Sequence, residues 1–132
     1  MAVADARFLR IVDALAEVER TRGRDYTSFS VLGRRFGYHW PRTSTTGLKQ
    51  TLSEQLALVS ERPDVFEVQF TAGGFGWVVV HLPRIGVDEL TELVYEAWRL
   101  SAPESLVEQH PNHLALLSTA DTPTASGPQG IS

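Results

Sequence analysis

Four histidines, a scatter of serines and threonines, and a few carboxylate pairs are the groups with which this chain could do chemistry. His39 and His81 fall in stretches of alternating apolar pattern, whereas His110 and His113 bracket Pro111 and Asn112. A transition-metal site needs three or four such ligands converging on one point, held by partners behind them. Pro111 spoils the helical face that would align His110 with His113, so the histidines read as surface groups and no metal or other cofactor is expected. Hydrolysis fares no better. There is no Gly-x-Ser-x-Gly elbow, and the run Thr43 to Thr46 has the composition of a loop. Asp88 with Glu89, and Glu92 with Glu96, have the spacing of solvated helix charges. The cluster Gly73-Gly74-Phe75-Gly76 lacks the Lys-Ser/Thr of a phosphate loop and precedes a strand pattern, which makes it a hairpin turn. These residues give no support to an enzymatic reading.

The cations suggest more. Residues 1–50 hold nine Arg/Lys against five Asp/Glu, a balance of +4, while residues 51–132 hold three against eleven, a balance of -8. The net charge of -4 therefore conceals a polarised chain whose basic half can attract phosphates and whose acidic half repels them. Arg20, Arg22, Arg24, Arg34, Arg35 and Arg42 gather near turns, where a guanidinium can project and grip phosphate oxygens with two N–H groups at once.

The elements that must position these groups follow from periodicity. Phe8, Ile11, Val12, Leu15 and Val18 recur at helical spacing, predicting an amphipathic helix from about Ala4 to Thr21 with Gly23 ending it. Between Tyr26 and Gln50 the period becomes two, predicting three short strands: one with Phe29 and Val31, one with Phe36, Tyr38 and Trp40, one with Leu48. Gly33 supplies the first turn, and Pro41 to Thr45 form the next loop. Thr51-Leu52-Ser53-Glu54 fits a capping box, opening a helix to about Glu61 that Pro63 stops. Val65 to Thr71 alternates again, with Phe66, Val68 and Phe70 on one face, and the glycine turn joins it to a partner strand at Trp77 to Leu82. Asp88 is placed to cap a second long helix that buries Leu90, Leu93, Val94, Ala97 and Trp98. Ser101-Ala102-Pro103-Glu104 looks like a further capping box before a short helix ending near Gln109.

The order α-β3-α-β2-α-α gives an α+β fold in two layers: an antiparallel five-stranded sheet covered on one face by helices. One face of the sheet stays open. If Phe36, Tyr38 and Trp40 point to the helices, then Arg35, Gly37 and His39 point outward, and the same parity brings Lys49, Gln69, Trp77 and His81 to that face. Cations and aromatics together can hold phosphates by charge and bases, or another protein, by stacking.

Gly33-Arg34-Arg35-Phe36-Gly37-Tyr38, the stretch Leu58 to Phe66 with its Glu-Arg-Pro, the strand Gly76-Trp77-Val78-Val79-Val80, and Leu90 through Glu104 with Glu-Ala-Trp-Arg-Leu-Ser-Ala-Pro together resemble the MmcQ/YjbR family over about residues 5–109. The order and spacing of the pieces carry the resemblance. It implies a compact α+β domain related in shape to frataxin-like and secretion-chaperone-like folds, often described as a double-wing DNA-binding fold.

With 42% apolar and 21% charged residues the chain has a globular balance, and 132 residues suffice for one domain, expected over 1–117 with a flexible tail over 118–132. The absence of cysteine excludes disulfides and cysteine-based zinc motifs, and fits a reducing, cytoplasmic setting. No apolar run reaches membrane-spanning length and no membrane partner is expected. The resulting expectation is a nonenzymatic protein that binds DNA phosphates through its basic N-terminal half, with Arg34, Arg35, Arg42, Lys49 and Trp77 as contacts. The competing expectation is a protein-interaction or self-association module using the open sheet face.

Overall fold

A computed structural model describes residues 2–114. The expected tail over 118–132, and the end of the domain at 117, lie outside the described residues. The elements run α1 (Asp5–Asp13), β1 (Val18–Arg22), β2 (Thr27–Val31), β3 (Arg34–Trp40), β4 (Thr45–Thr51), α2 (Leu52–Glu61), β5 (Phe66–Ala72), β6 (Phe75–His81), a 3-10 turn at Leu82–Arg84, α3 (Val87–Ser101) and α4 (Glu104–Gln109). All strand pairs are antiparallel, in the order β1-β2-β3-β4-β6-β5. The fold is α+β with helices packed on an antiparallel sheet, as expected, but the sheet has six strands instead of five and the element order changes accordingly.

The extra strand comes from the first segment. Its helix ends at Asp13, and Val18–Arg22, read above up to Thr21 as the last turn of that helix, pairs with β2 from Val18↔Val31 to Arg22↔Thr27. Val18 continues the helical spacing of Leu15, so the apolar pattern cannot distinguish the two outcomes. Tertiary hydrogen bonds decide it. The Trp98 indole N–H donates to the Ala16 carbonyl at 3.0 Å, and the Ala16 N–H donates to Nε2 of His113 at 2.9 Å. Both backbone groups of Ala16 are thereby withdrawn from any helix, and Glu17 turns the chain through a positive φ of 59° into the edge strand.

The turns follow the local chemistry. Leu32-Gly33 and Gly73-Gly74 form two-residue hairpins with positive φ at both central positions, the twist that antiparallel strands favour. The Thr51 hydroxyl accepts from the Glu54 N–H at 3.1 Å, as the capping sequence requires. Two expected caps differ. Gly86 takes the place expected of Asp88, which lies inside the first turn of α3, and Pro103 precedes α4 with no side-chain cap. Ser101 is instead occupied at the sheet, accepting from the Lys49 ammonium at 3.0 Å.

All three longer helices cover one face. From α1, Asp5 reaches His39 on β3 at 2.6 Å, while Phe8 packs edge-on against Phe29 on β2. From α3, the Leu93 carbonyl accepts from Gln50 on β4 at 3.1 Å. From α2, Gln55 lies against Gly76 on β6 and donates to the carbonyls of Phe70 and Trp77, so a side chain on Gly76 would displace it. The core between these layers includes Phe8, Phe29, Phe36, Leu48, Val78, Leu90 and Trp98, all fully buried.

Two histidines assigned to the surface are core groups: His39 is 4% exposed and His113 5%. His39 is held by Asp5, and His113 sits edge-on to the Trp98 ring at 5.0 Å. His113 accepts from Ala16 only while Nε2 is unprotonated, and its pKa is lowered from 6.5, first by burial and second by neighbouring His110. The unfolded chain therefore takes up a proton below about pH 6.5 that the folded chain refuses, and stability falls with pH until the folded imidazole also titrates. The thermal midpoint of the parent is expected to drop between pH 7.5 and 5.5, and His113→Gln should drop less, because its amide oxygen accepts from Ala16 without titrating. Equal drops in the two proteins would remove His113 from this account.

Candidate functional site

The side of the sheet away from the helices is the candidate site, and its make-up depends on two bulges. Phe29 pairs with Gly37 and Ser30 with Arg35, so Phe36 is an extra residue in β3. A bulge places two consecutive side-chain positions on the same side of the sheet. Phe36 and Gly37 both face the helices, where the Phe36 ring meets Phe29 at 6.3 Å, and the alternation is inverted beyond them. Tyr38 and Trp40, expected inside, lie on the open face, and His39, expected outside, lies under α1. The second bulge inserts Gln69 between Val68↔Val78 and Phe70↔Trp77. It puts Gln69 and Phe70 together on the open side and separates Phe70 from Val68.

The result is a continuous aromatic surface. Tyr38 stacks on Trp40 with ring centres 5.6 Å apart and planes within 13°. Tyr26 meets Tyr38 edge-on at 5.8 Å, Tyr38 meets Trp77 at 5.6 Å, and Trp77 meets Phe70 at 5.2 Å. Trp77 lies at the bottom of this cluster with 6% exposure, so the rings offered to a ligand are those around it: Tyr26, Tyr38, Trp40 and Phe70. Gly47 keeps the surface flat. A Cβ there would lie 3.0 Å from the Trp40 ring and 2.9 Å from Gln69 Cδ.

The five residues singled out from sequence divide between the two ends of this surface. Arg35 and Lys49 belong to the end formed by the β2–β3 turn and the C-terminal end of β4, whereas Arg34, at the same end, stands opposite core Val31 and so starts on the helix side of the sheet. The Arg35 guanidinium lies over the Tyr38 ring, 5.5 Å from its centre. Lys49 shares the open face with Trp77 but is not free: its ammonium donates to Ser101 and lies 4.2 Å from the centre of the Phe75 ring. Burial lowers the Lys49 pKa, and Arg34 adds to the effect, which places that guanidinium within electrostatic reach. Arg42 stands at the other end, after Trp40, beside Arg22 at the end of β1 and Arg24 of the β1–β2 connection. From Arg35 to Arg42 the chain covers roughly 20 Å at strand rise. Lys49 thus shapes the site, and Trp77 supports its floor.

Tyr26, Tyr38, Trp40 and Phe70 are the residues that parity misplaced or left unused. The signal that identifies them is the pairing register, because Tyr38 and Trp40 stand opposite Gly47 and Thr45. Also on the open face, Glu67 and His81 are in hydrogen-bond contact across β5 and β6.

No family model matches the chain. Over 67 residues it is 36% identical to uncharacterised proteins of Mycobacterium tuberculosis and Mycobacterium bovis, a match covering 51% of this chain and 47% of each relative. The chain spans about half the length of the curated relatives it matches. Its fold is similar to the crystal structure of a Deinococcus radiodurans protein with a DUF419 domain, at a TM-score of 0.64 and 19% identity over 81% of this chain and 85% of that one. It is also similar to a protein from Pseudomonas syringae, at a TM-score of 0.59 and 13% identity over 76% and 100% of the two chains. These neighbours show a shared small α+β fold. Among the described residues no helix is long and apolar enough to cross a membrane.

Proposed function

We propose that this chain is a nonenzymatic DNA-binding protein of the MmcQ/YjbR kind, and that it binds with the open face of its sheet. The observation that carries this reading is the aromatic surface of Tyr26, Tyr38, Trp40 and Phe70, with Arg35 over Tyr38 at one end and Arg42 at the other. Rings stack on bases of any sequence, and guanidinium groups pair with phosphates. The family resemblance over residues 5–109 supports the same assignment. The acidic second half, with Glu54 on α2 and Glu92 on α3, disfavours phosphate at the helical layer and leaves the sheet as the receptive side.

A platform of rings suits bases that are already unstacked, so the substrate class is single-stranded DNA rather than a closed duplex. Fluorescence anisotropy with a labelled single strand, competed by the same strand unlabelled or annealed, tests this. The single strand should compete better than the duplex, and Trp40→Ala should weaken binding about tenfold, within the usual range for losing one stacked base. Absence of binding by the parent, or parental affinity in Trp40→Ala, would refute the platform. Association of the chain with itself that persists at high salt would then favour the interaction-module reading.

A further inference from the structure

Two hollows meet at the end of the open face where Arg42 lies. The first, about 400 Å³, is bounded by Trp40, Thr45, Gln69 and Val79 and is largely apolar. The second, about 350 Å³, is bounded by Arg22, Gly23, Arg24 and Tyr26. Asp25 and Arg42 belong to both. Each has the volume of a small ligand site. We propose that together they bind one nucleotide, with its base against Trp40 and its phosphate between Arg24 and Arg42.

Three features favour this occupant. The Gln69 Oε1 atom is buried without a hydrogen-bond partner among the described residues. That oxygen is turned down onto Gly47, closed to solvent, so the amide must rotate outward to accept from the amino or imino N–H of a base lying against the Trp40 ring. Next, the arginines of the second hollow are uncommitted. Arg20, Arg62 and Arg99 are paired with carboxylates, whereas Arg22, Arg24 and Arg42 have no ion pair or side-chain hydrogen bond among the described residues. Arg24 and Arg42 border one space whose positive charge suits a phosphate, with Arg22, which stands opposite Thr27 on the helix side, at its rim. Finally, Asp25 lies where the hollows join, and its carboxylate can accept from the 3′-hydroxyl of a free nucleotide, a group that a nucleotide inside a DNA strand lacks. The bulge brings the Gln69 amide to the edge of the first hollow, and bare Gly47 leaves the room that this amide fills.

This inference rests on the open face being a nucleic-acid surface, and goes further in assigning one residue of the ligand to a defined place. The nucleotide can be free or part of a strand. Calorimetric titration of the full chain with nucleoside 5′-monophosphates, the matching nucleosides and inorganic phosphate tests the free form, and oligonucleotide binding to the same variants tests the strand. Monophosphates should bind at one per chain, more tightly than nucleoside or phosphate alone. Arg24→Ala should reduce the monophosphate to the affinity of the nucleoside. Gln69→Leu should weaken nucleotide or strand by about tenfold, the loss of one hydrogen bond, without lowering the thermal midpoint. Strand binding that depends on Gln69 without binding of free nucleotide assigns the site to strands. The site is overturned if phosphate alone binds as well as the nucleotide, or if Gln69→Leu leaves both ligands unaffected. The platform survives in that case if Trp40→Ala still weakens the strand, and falls with it if the parent binds no strand at all.

Discussion

Replacing Trp98 with alanine should cost about 3–5 kcal/mol of folding free energy, the usual range for removing a large aromatic from a packed core. The indole is fully buried, contacts Tyr95 and His113, and donates to the Ala16 carbonyl. Its loss leaves a cavity and a buried carbonyl without its partner at the point where α1 gives way to β1. Since domains of this size have about 5–15 kcal/mol in total, the variant should be partly unfolded at moderate temperature. Trp98→Phe separates the two contributions: it retains most of the packing and loses only the N–H, at an expected cost of about 1–3 kcal/mol. Urea unfolding measures both. A loss well below 1 kcal/mol for the alanine variant would show that Trp98 does not hold this junction.

Local chemistry made much of the architecture legible. Both tight hairpins, the Thr51 cap and the ends of α2 depend on residues adjacent in the chain, so glycine positions and a Thr-x-x-Glu pattern suffice to place them. What escaped depends on distant partners. Val18 fits a helix as well as a strand, and only the claims of Trp98 and His113 on Ala16 decide between them. The site was half legible for the same kind of reason. Arg35, Lys49, Gln69, Trp77 and His81 lie on the open face as parity requires, yet one extra residue at Phe36 exchanges the places of His39 and Tyr38. A period of two has no means of announcing a bulge, because the inserted residue carries no special composition. The burial of His39 and His113 was hidden as well, since Asp5 and Ala16 are remote from them in sequence.

The polarised charge has a consequence for binding that is independent of base stacking. Arginines at both ends of the surface should each displace counterions from a bound strand, and each phosphate neutralised adds about 0.7 to the salt slope of single-strand binding. Arg35 and Arg42 are the cleanest pair to remove, since neither is engaged by a carboxylate among the described residues and both border the aromatic surface. Lys49, held by Ser101, is a poorer choice. Glu92 on α3 lies on the helical layer, so Glu92→Ala serves as a control that should bind no worse than the parent.

The central claim is that DNA is held on the open face, and the salt dependence of single-strand affinity between about 50 and 200 mM tests it most directly. The parent should lose affinity steeply over this range, and Arg35→Ala/Arg42→Ala should flatten the logarithmic slope by about 1.4, the share of two phosphates. The claim is contradicted if the parent does not bind at the low-salt end, or if the double variant keeps the parental slope.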